Sequence, residues 1–143
     1  MKKLVVIIPA YNEEKTINDT IIGLFSIKPE LNKLGYELKI HLINDGSTDS
    51  TGNLASKHEE VLVITNKKNK GLGAAVRTGL LSASYINADI VVKYDADLQH
   101  EPFDILDLIK PIDNDESDIV YGNRLEKMNY KMPFIRKMGN KVF

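Results

Sequence analysis

Five short apolar runs rich in β-branched residues recur along the 143-residue chain, at 4–8, 38–43, 61–65, 90–92 and 119–121, with helix-patterned stretches between them. The unbroken run 4–8 reads as a strand covered on both faces, and the other four read as further strands. Strands that alternate with helices join by right-handed crossovers into a largely parallel sheet. The pattern therefore predicts an α/β, Rossmann-like fold with helices on both faces. With 43% hydrophobic and 27% charged residues, the chain can bury the core of one globular domain.

Start and stop signals place the helices. Asn12 stands to cap a helix whose first turn holds Glu13 and Glu14, favourable against the helix dipole. Ile17, Ile21, Leu24 and Phe25 then form one apolar face, and Pro29 ends it. After the second run, Asn44, Asp45, Gly46 and Ser47 form a turn, and Ser47 or Thr48 can cap a short helix toward His58. A basic loop, 66–70, leads to Gly71 and a helix to about Ser84. Pro102 falls in the first turn of a helix lined by Phe103, Leu106 and Ile109 and stopped by Pro111. The last 20 residues, rich in Lys, Arg and Met, show no clear period.

The net charge of −1 gives no reason to expect nucleic acid binding, so an anionic partner has to be met by local cations. The absence of cysteine excludes disulfides and thiolate metal sites, and is compatible with a cytoplasmic location. The run at 4–8 is too short for a signal peptide, and Glu13 and Glu14 follow where a cleavage site would stand. No stretch approaches the roughly 18 apolar residues of a membrane span. The chain as given reads as soluble.

In parallel α/β sheets ligands bind beyond the carboxyl ends of the strands. Those ends carry Pro9 to Glu13, Asp45 to Ser47, Asp95 to Asp97 and Gly122 to Arg124, a gathering of polar residues on one edge. Asp95 and Asp97, separated by Ala96, can converge on one hard cation such as Mg²⁺ or Mn²⁺, which takes oxygen ligands and keeps positions open for phosphate. The same spacing recurs at Asp113 and Asp115, in a polar loop after Pro111, where it reads as solvated surface. Spacing and position alone leave metal binding and a plain turn equally open for Asp95 and Asp97. A calcium loop is excluded by His100 and Leu106, which stand where the sixth-position glycine and twelfth-position glutamate belong.

Gly71, Gly73, Ala74 and Ala75 open a helix, where small residues admit a ligand or close packing. The segment lacks the Lys-Ser/Thr of a P-loop, and Val76 replaces the third glycine of a dinucleotide fingerprint. Asp45 and Gly46 fit ordinary turn chemistry, Tyr11 a half-buried aromatic and Arg77 a solvated charge. The three histidines lack a mutual metal spacing. His41 reads as a strand residue, while His100 lies close enough in sequence to support the Asp pair from behind.

Taken together, IIPAYNEE (7–14), INDGSTDST (43–51), NKGLGAAVRTG (69–79), DADLQHEP (95–102), YGNR (121–124) and MPFIRKMGN (132–140) resemble family 2 glycosyltransferases, nearest the dolichyl- or polyprenyl-phosphate hexosyltransferase group. The strings stand in family order and cover almost the whole chain. The resemblance implies a GT-A fold and inverting, metal-dependent transfer of a hexose from a GDP- or UDP-sugar to an acceptor, a lipid phosphate in that group. Carried over by position, Pro9, Tyr11 and Glu13 hold base and ribose, and Ile43 and Asp45 continue that pocket, with Asp45 on the base edge. Asp95, Ala96 and Asp97 meet ribose, diphosphate and metal, with Asp97 the principal ligand and Gln99 assisting. Arg124 pairs with phosphate, and Arg136 and Lys137 lie near the acceptor phosphate.

Two departures stand out. Asn44 occupies a position where an acidic residue is common, which bears on base or ribose contacts. Relatives also continue beyond residue 143 with strands, interface helices and often membrane spans, so the acceptor half is expected to be incomplete after about residue 125, and no general base can be named. The resemblance places the protein in the cytoplasm or on the cytoplasmic membrane face. The alternative is a nucleotide-sugar-binding module without turnover, able to pair with a second copy along its unfinished sheet edge. A sugar nucleotidyltransferase would carry a glycine-rich, arginine-containing loop where Pro9 to Asn12 stand.

Overall fold

The computed structural model describes residues 1–122. Among them, four strands form one parallel sheet in the order β3-β2-β1-β4: β1 is Lys2–Ala10, β2 Tyr36–Asn44, β3 Val61–Thr65 and β4 Ile90–Lys93. The helices of the described residues are α1 (Ile17–Ser26), α2 (Lys28–Lys33), α3 (Thr51–Ser56), α4 (Leu72–Tyr85), α5 (Asp104–Leu108) and α6 (Lys110–Asp113). None is long and apolar enough to cross a membrane.

β1 is central and buried from Leu4 through Ala10, as its unbroken apolar run requires of a strand between two layers. Leu4, Val6 and Ile8 face a large core with Ile17, Ile21 and Leu24 of α1, Leu31 of α2, Ala55 of α3 and Ile105 of α5. Val5 and Ile7 face the other way, onto Ala83 and Val76 of α4. The α/β, Rossmann-like expectation with helices on both faces therefore holds. At Gly79 a β-carbon would stand 3.0 Å from Ile7 Cβ, so α4 lies against β1 at the distance a hydrogen allows.

Several local expectations are corrected. Asn12 is no helix cap: it turns the chain with φ 53°, and its Oδ1 accepts from Thr48 N at 2.8 Å while α1 begins at Ile17. Pro29 and Pro111 do not end helices but fall in the first turns of α2 and α6, where a missing N–H costs nothing. Neither Ser47 nor Thr48 caps α3, which begins at Thr51, where Asp49 Oδ1 accepts the Thr51 N–H at 2.9 Å. Because α5 starts at Asp104, Ile105 and Ile109 enter the core and Phe103 is left exposed.

Residues 119–121 form no strand: Ile119 and Tyr121 are exposed. Three apolar residues offer too few ladder bonds to hold without cover on a face. Asp113 is more than solvated surface, since it accepts the Tyr36 hydroxyl and lies 3.3 Å from Lys2 Nζ.

Candidate active site

The chain passes from β1 to β2 and β3 through helices on one face, then from β3 to β4 through α4 on the other. The reversal falls between β1 and β4, and the crevice at such a switch point is where open α/β sheets bind ligands. Three segments meet at this rim.

The loops after β1 and β2 are stitched together. Asn12 N donates to Ser47 Oγ (3.0 Å), Glu13 N to Thr51 Oγ1 (2.9 Å), Glu14 N to Asp49 Oδ2 (3.2 Å) and Ser50 N to Glu14 Oε2 (3.0 Å). These four N–H groups thus find partners from the facing loop, as backbone polar groups near a core demand. Burial alone would push the Asp49 carboxyl up, but its hydrogen bonds from Thr51 and from the Glu14 N–H outweigh this and leave it below the usual range. Pro9 is buried, Tyr11 stands exposed above it, and Glu13 is half-buried with Oε2 accepting from Thr16 Oγ1 at 3.2 Å. Ile43 has no exposed surface, so it supports the rim from beneath. Asn44, the departure noted in the sequence, is tucked under the turn: its Oδ1 accepts from Ser47 N at 3.3 Å, and its Nδ2 lies 3.5 Å from Thr65 Oγ1.

Asp45 closes the β2 side. It is 3% exposed, and its carboxylate accepts from Asn66 Nδ2 (2.8 Å), Lys70 N (3.0 Å) and Gly71 N (2.9 Å). Burial pushes this carboxyl up, yet the donors prevail and hold it below its ordinary value.

The strand end of β4 carries the acidic pair. Tyr94 N donates to Ile7 O at 3.0 Å, extending the β1–β4 ladder one bond beyond the strand. Asp95 is half-buried, ion-paired with Lys93 and 2.9 Å from His100 Nε2; these contacts outweigh the upward effect of burial and keep its carboxyl low. His100 is held in turn by its own carbonyl, which accepts the Tyr94 hydroxyl at 2.6 Å. Ala96 is buried, its carbonyl taken by Thr20 Oγ1 at 3.2 Å. Asp97 is exposed, and Oδ1 accepts the Gln99 N–H at 3.1 Å across a turn in which Leu98 has φ 61°.

Among the described residues no group of three or more His, Asp or Glu is arranged to hold a metal ion by itself. The donor set nonetheless suits a hard cation that brings its own oxygens. Asp97 has an oxygen without a hydrogen-bond partner among the described residues, and Asp95 stands just beyond the end of β4. Arg124, Arg136 and Lys137, with the strings that contain them, lie outside the described residues.

The structure thus gathers Pro9, Tyr11, Glu13, Ile43, Asp45, Asp95, Ala96 and Asp97 on one rim, as their positions at strand ends implied. Ser47, Thr48, Asp49 and Thr51 were not foreseen as the stitching of this rim; their only sequence signal is their place inside INDGSTDST.

A parallel sheet with helices on both faces, its polar strand ends gathered at the switch point, is the arrangement of the GT-A fold. The sequence model of glycosyl transferase family 2 matches residues 5–137, and the chain belongs to that family. It is 37% identical to UDP-N-acetylglucosamine–dolichyl-phosphate N-acetylglucosaminyltransferase of Methanococcus voltae, over 97% of this chain and 59% of that one. It is 41% identical to dolichol-phosphate mannosyltransferase of Pyrococcus furiosus, over 97% of this chain and 38% of that one. Among solved structures, glucosyl-3-phosphoglycerate synthase from Mycobacterium tuberculosis, in complex with Mn²⁺, UDP and glucosyl-3-phosphoglycerate, superposes with a TM-score of 0.61 at 25% identity, covering 78% of this chain and 39% of that one. The chain therefore spans little more than half the length of these relatives, or less.

Proposed function

We propose that this chain is the donor-binding half of an inverting, metal-dependent hexosyltransferase that uses a nucleotide-diphosphate sugar and a polyprenyl- or dolichyl-phosphate acceptor at the cytoplasmic face of a membrane. The observation that carries the reading is the acidic strand end, Asp95 to Asp97, set beside the stitched β1–β2 loops at the switch point. The lipid-phosphate acceptors in the names of two relatives and the Mn²⁺ and UDP of the solved neighbour support it.

In this reading Pro9, Tyr11 and Glu13 hold base and ribose, with Ile43 and Asp45 as the pocket's floor and side. Ala96 and Asp95 place the strand end against ribose and diphosphate, and Asp97, assisted by Gln99, is the metal ligand. Arg124 pairs with phosphate, and Arg136 and Lys137 meet the acceptor phosphate. Mg²⁺ or Mn²⁺, when bound, offsets charge on the departing diphosphate. An acceptor phosphate oxygen attacks the anomeric carbon from the face opposite the diphosphate, whose bond to that carbon breaks, and the configuration inverts. A phosphate monoester has a second pKa of about 6 and is largely dianionic at pH 7, so it needs no protein base to become a nucleophile.

Calorimetric titration with GDP- and UDP-hexoses, with and without Mn²⁺ or Mg²⁺, tests the donor half. Metal-dependent binding of one nucleotide class is expected, and no binding of either class would overturn the reading. Release of labelled sugar from the bound donor, with and without lipid phosphate, separates a transferase from a binding module.

A further inference from the structure

One edge of the sheet is β3, which pairs with β2 on one side and with no described strand on the other. Its bonding directions follow from one contact. Asn66 N donates to Asn44 O at 2.9 Å, and a parallel ladder alternates. Leu62 and Ile64 therefore turn their N–H and C=O toward β2, while Val61, Val63 and Thr65 turn theirs outward. The Val61 N–H is answered locally by His58 O at 2.9 Å. Val63 and Thr65 are left presenting a row of backbone donors and acceptors along the edge.

Nothing inside the strand blunts that row. Its sequence, VLVIT, holds no charge, proline or bulge-forming glycine, the devices by which edge strands avoid pairing. The side chains add to the exposure. Val61 and Val63 face the larger core, but Leu62 and Ile64 lie on the α4 side, in register with His41 and Ile43. The smaller core on that side gathers residues of β1, α4, β4 and the loop between the last two, and none of β3. Leu62 is 48% exposed in consequence.

Charge decides what fits this edge. Glu59 and Glu60 precede the strand and Lys67 and Lys68 follow it, all four exposed. Glu60 is ion-paired with Lys28, whereas Glu59, Lys67 and Lys68 are in no ion pair among the described residues. A second copy laid parallel sets acid against acid and base against base. Laid antiparallel, about a two-fold axis at Val63, it sets Leu62 opposite Ile64, Val61 opposite Thr65 and Glu59 opposite Lys67, at both ends at once. In that register the residues whose backbone points outward face one another, which is the hydrogen-bonded arrangement of an antiparallel pair.

We propose that the β3 edge is a self-association surface, on which a second copy of this chain pairs antiparallel and joins the two sheets into one. The pairing answers the outward backbone groups of Val63 and Thr65, covers Leu62 with Ile64 of the other copy, and matches Glu59 with Lys67 twice. It requires no donor, metal or acceptor, so it stands or falls apart from the proposed function.

The test is sedimentation of the 143-residue chain over a dilution series without ligand, with circular dichroism to check that each variant is folded. The wild type should pass from dimer to monomer on dilution. Leu62→Lys sets an ammonium opposite Ile64 at two symmetric places, and should raise the dissociation constant by about tenfold or more. Val63→Pro removes an N–H that points away from β2, so it should weaken the dimer as much while the sheet survives. Should that variant fail to fold, Leu62→Lys, at a half-exposed position, decides alone. Glu59→Lys and Lys67→Glu should each weaken the dimer, and an equimolar mixture of the two should recover it, because each mismatched end then meets its complement. A wild type still monomeric at about 1 mM, a dimer indifferent to Leu62→Lys, or a mixture no tighter than its components would overturn the proposal.

Discussion

Asp95 and Asp97 share a strand end but meet different surroundings. Asp95 leans on Lys93 and His100, while Asp97 keeps an oxygen turned to solvent. Asp97→Ala should therefore abolish metal-dependent donor binding in titration, and Asp115→Ala, at an exposed position just after α6, should leave it unchanged. Equal affinities in the two variants would remove Asp97 from the site. Asp45 makes a pH prediction. Its folded carboxyl titrates below the ordinary 3.8, so on acidification the unfolded chain takes up the proton first. The stability it lends is complete above that value and drains away as pH drops toward the depressed folded value. Urea midpoints measured between pH 3 and 6 should fall more steeply for the wild type than for Asp45→Asn, and parallel curves would contradict the assignment.

At the scale of elements, the two helical glycines of α4 make a matched pair. Gly73 has open space where a β-carbon would go, whereas the same atom at Gly79 would press on Ile7 at 3.0 Å. Gly73→Ala should stabilise by about 0.5–1 kcal/mol through helix propensity. Gly79→Ala should lose that gain to overpacking, which typically costs about 1–3 kcal/mol. Thermal or urea unfolding of both variants checks the contrast.

Four of the five expected strands form, because apolar runs with cover on the sheet's faces need little tertiary information to be seen, whereas 119–121 lacks that cover. The ends of helices were less legible in the sequence. Pro29 and Pro111 stop one helix or start the next with equal local logic, and only the packing of Leu31 and Ile109 decides. Asn12 illustrates the same limit at the rim: its side chain chooses Thr48, 36 residues away, over its own helix. The site's residues were readable as strand-end polar groups, but the Asp45 grip on Lys70 and Gly71 is a tertiary fact that no local pattern encodes.

For the molecule as a whole, the sheet separates two cores of unequal size, the larger on the α1 side. Leu24→Ala should cost about 2–5 kcal/mol, since a fully buried leucine leaves a cavity, whereas Val76→Ala, at the partly buried margin of the smaller core, should cost about 1 kcal/mol. Denaturant titration resolves the difference. Comparable losses would mean that α4 bears as much of the fold as α1. The strand order has its own consequence. The β1 and β2 loops are sewn to one another, but the acidic pair follows β4, a four-residue strand whose residues pair with β1 partners 86 positions earlier in the chain. A sugar nucleotide lying over that seam would act as a removable rivet closing the longest loop in the sheet. Its grip would register far from the crevice, as slower opening of the whole β1–β4 edge.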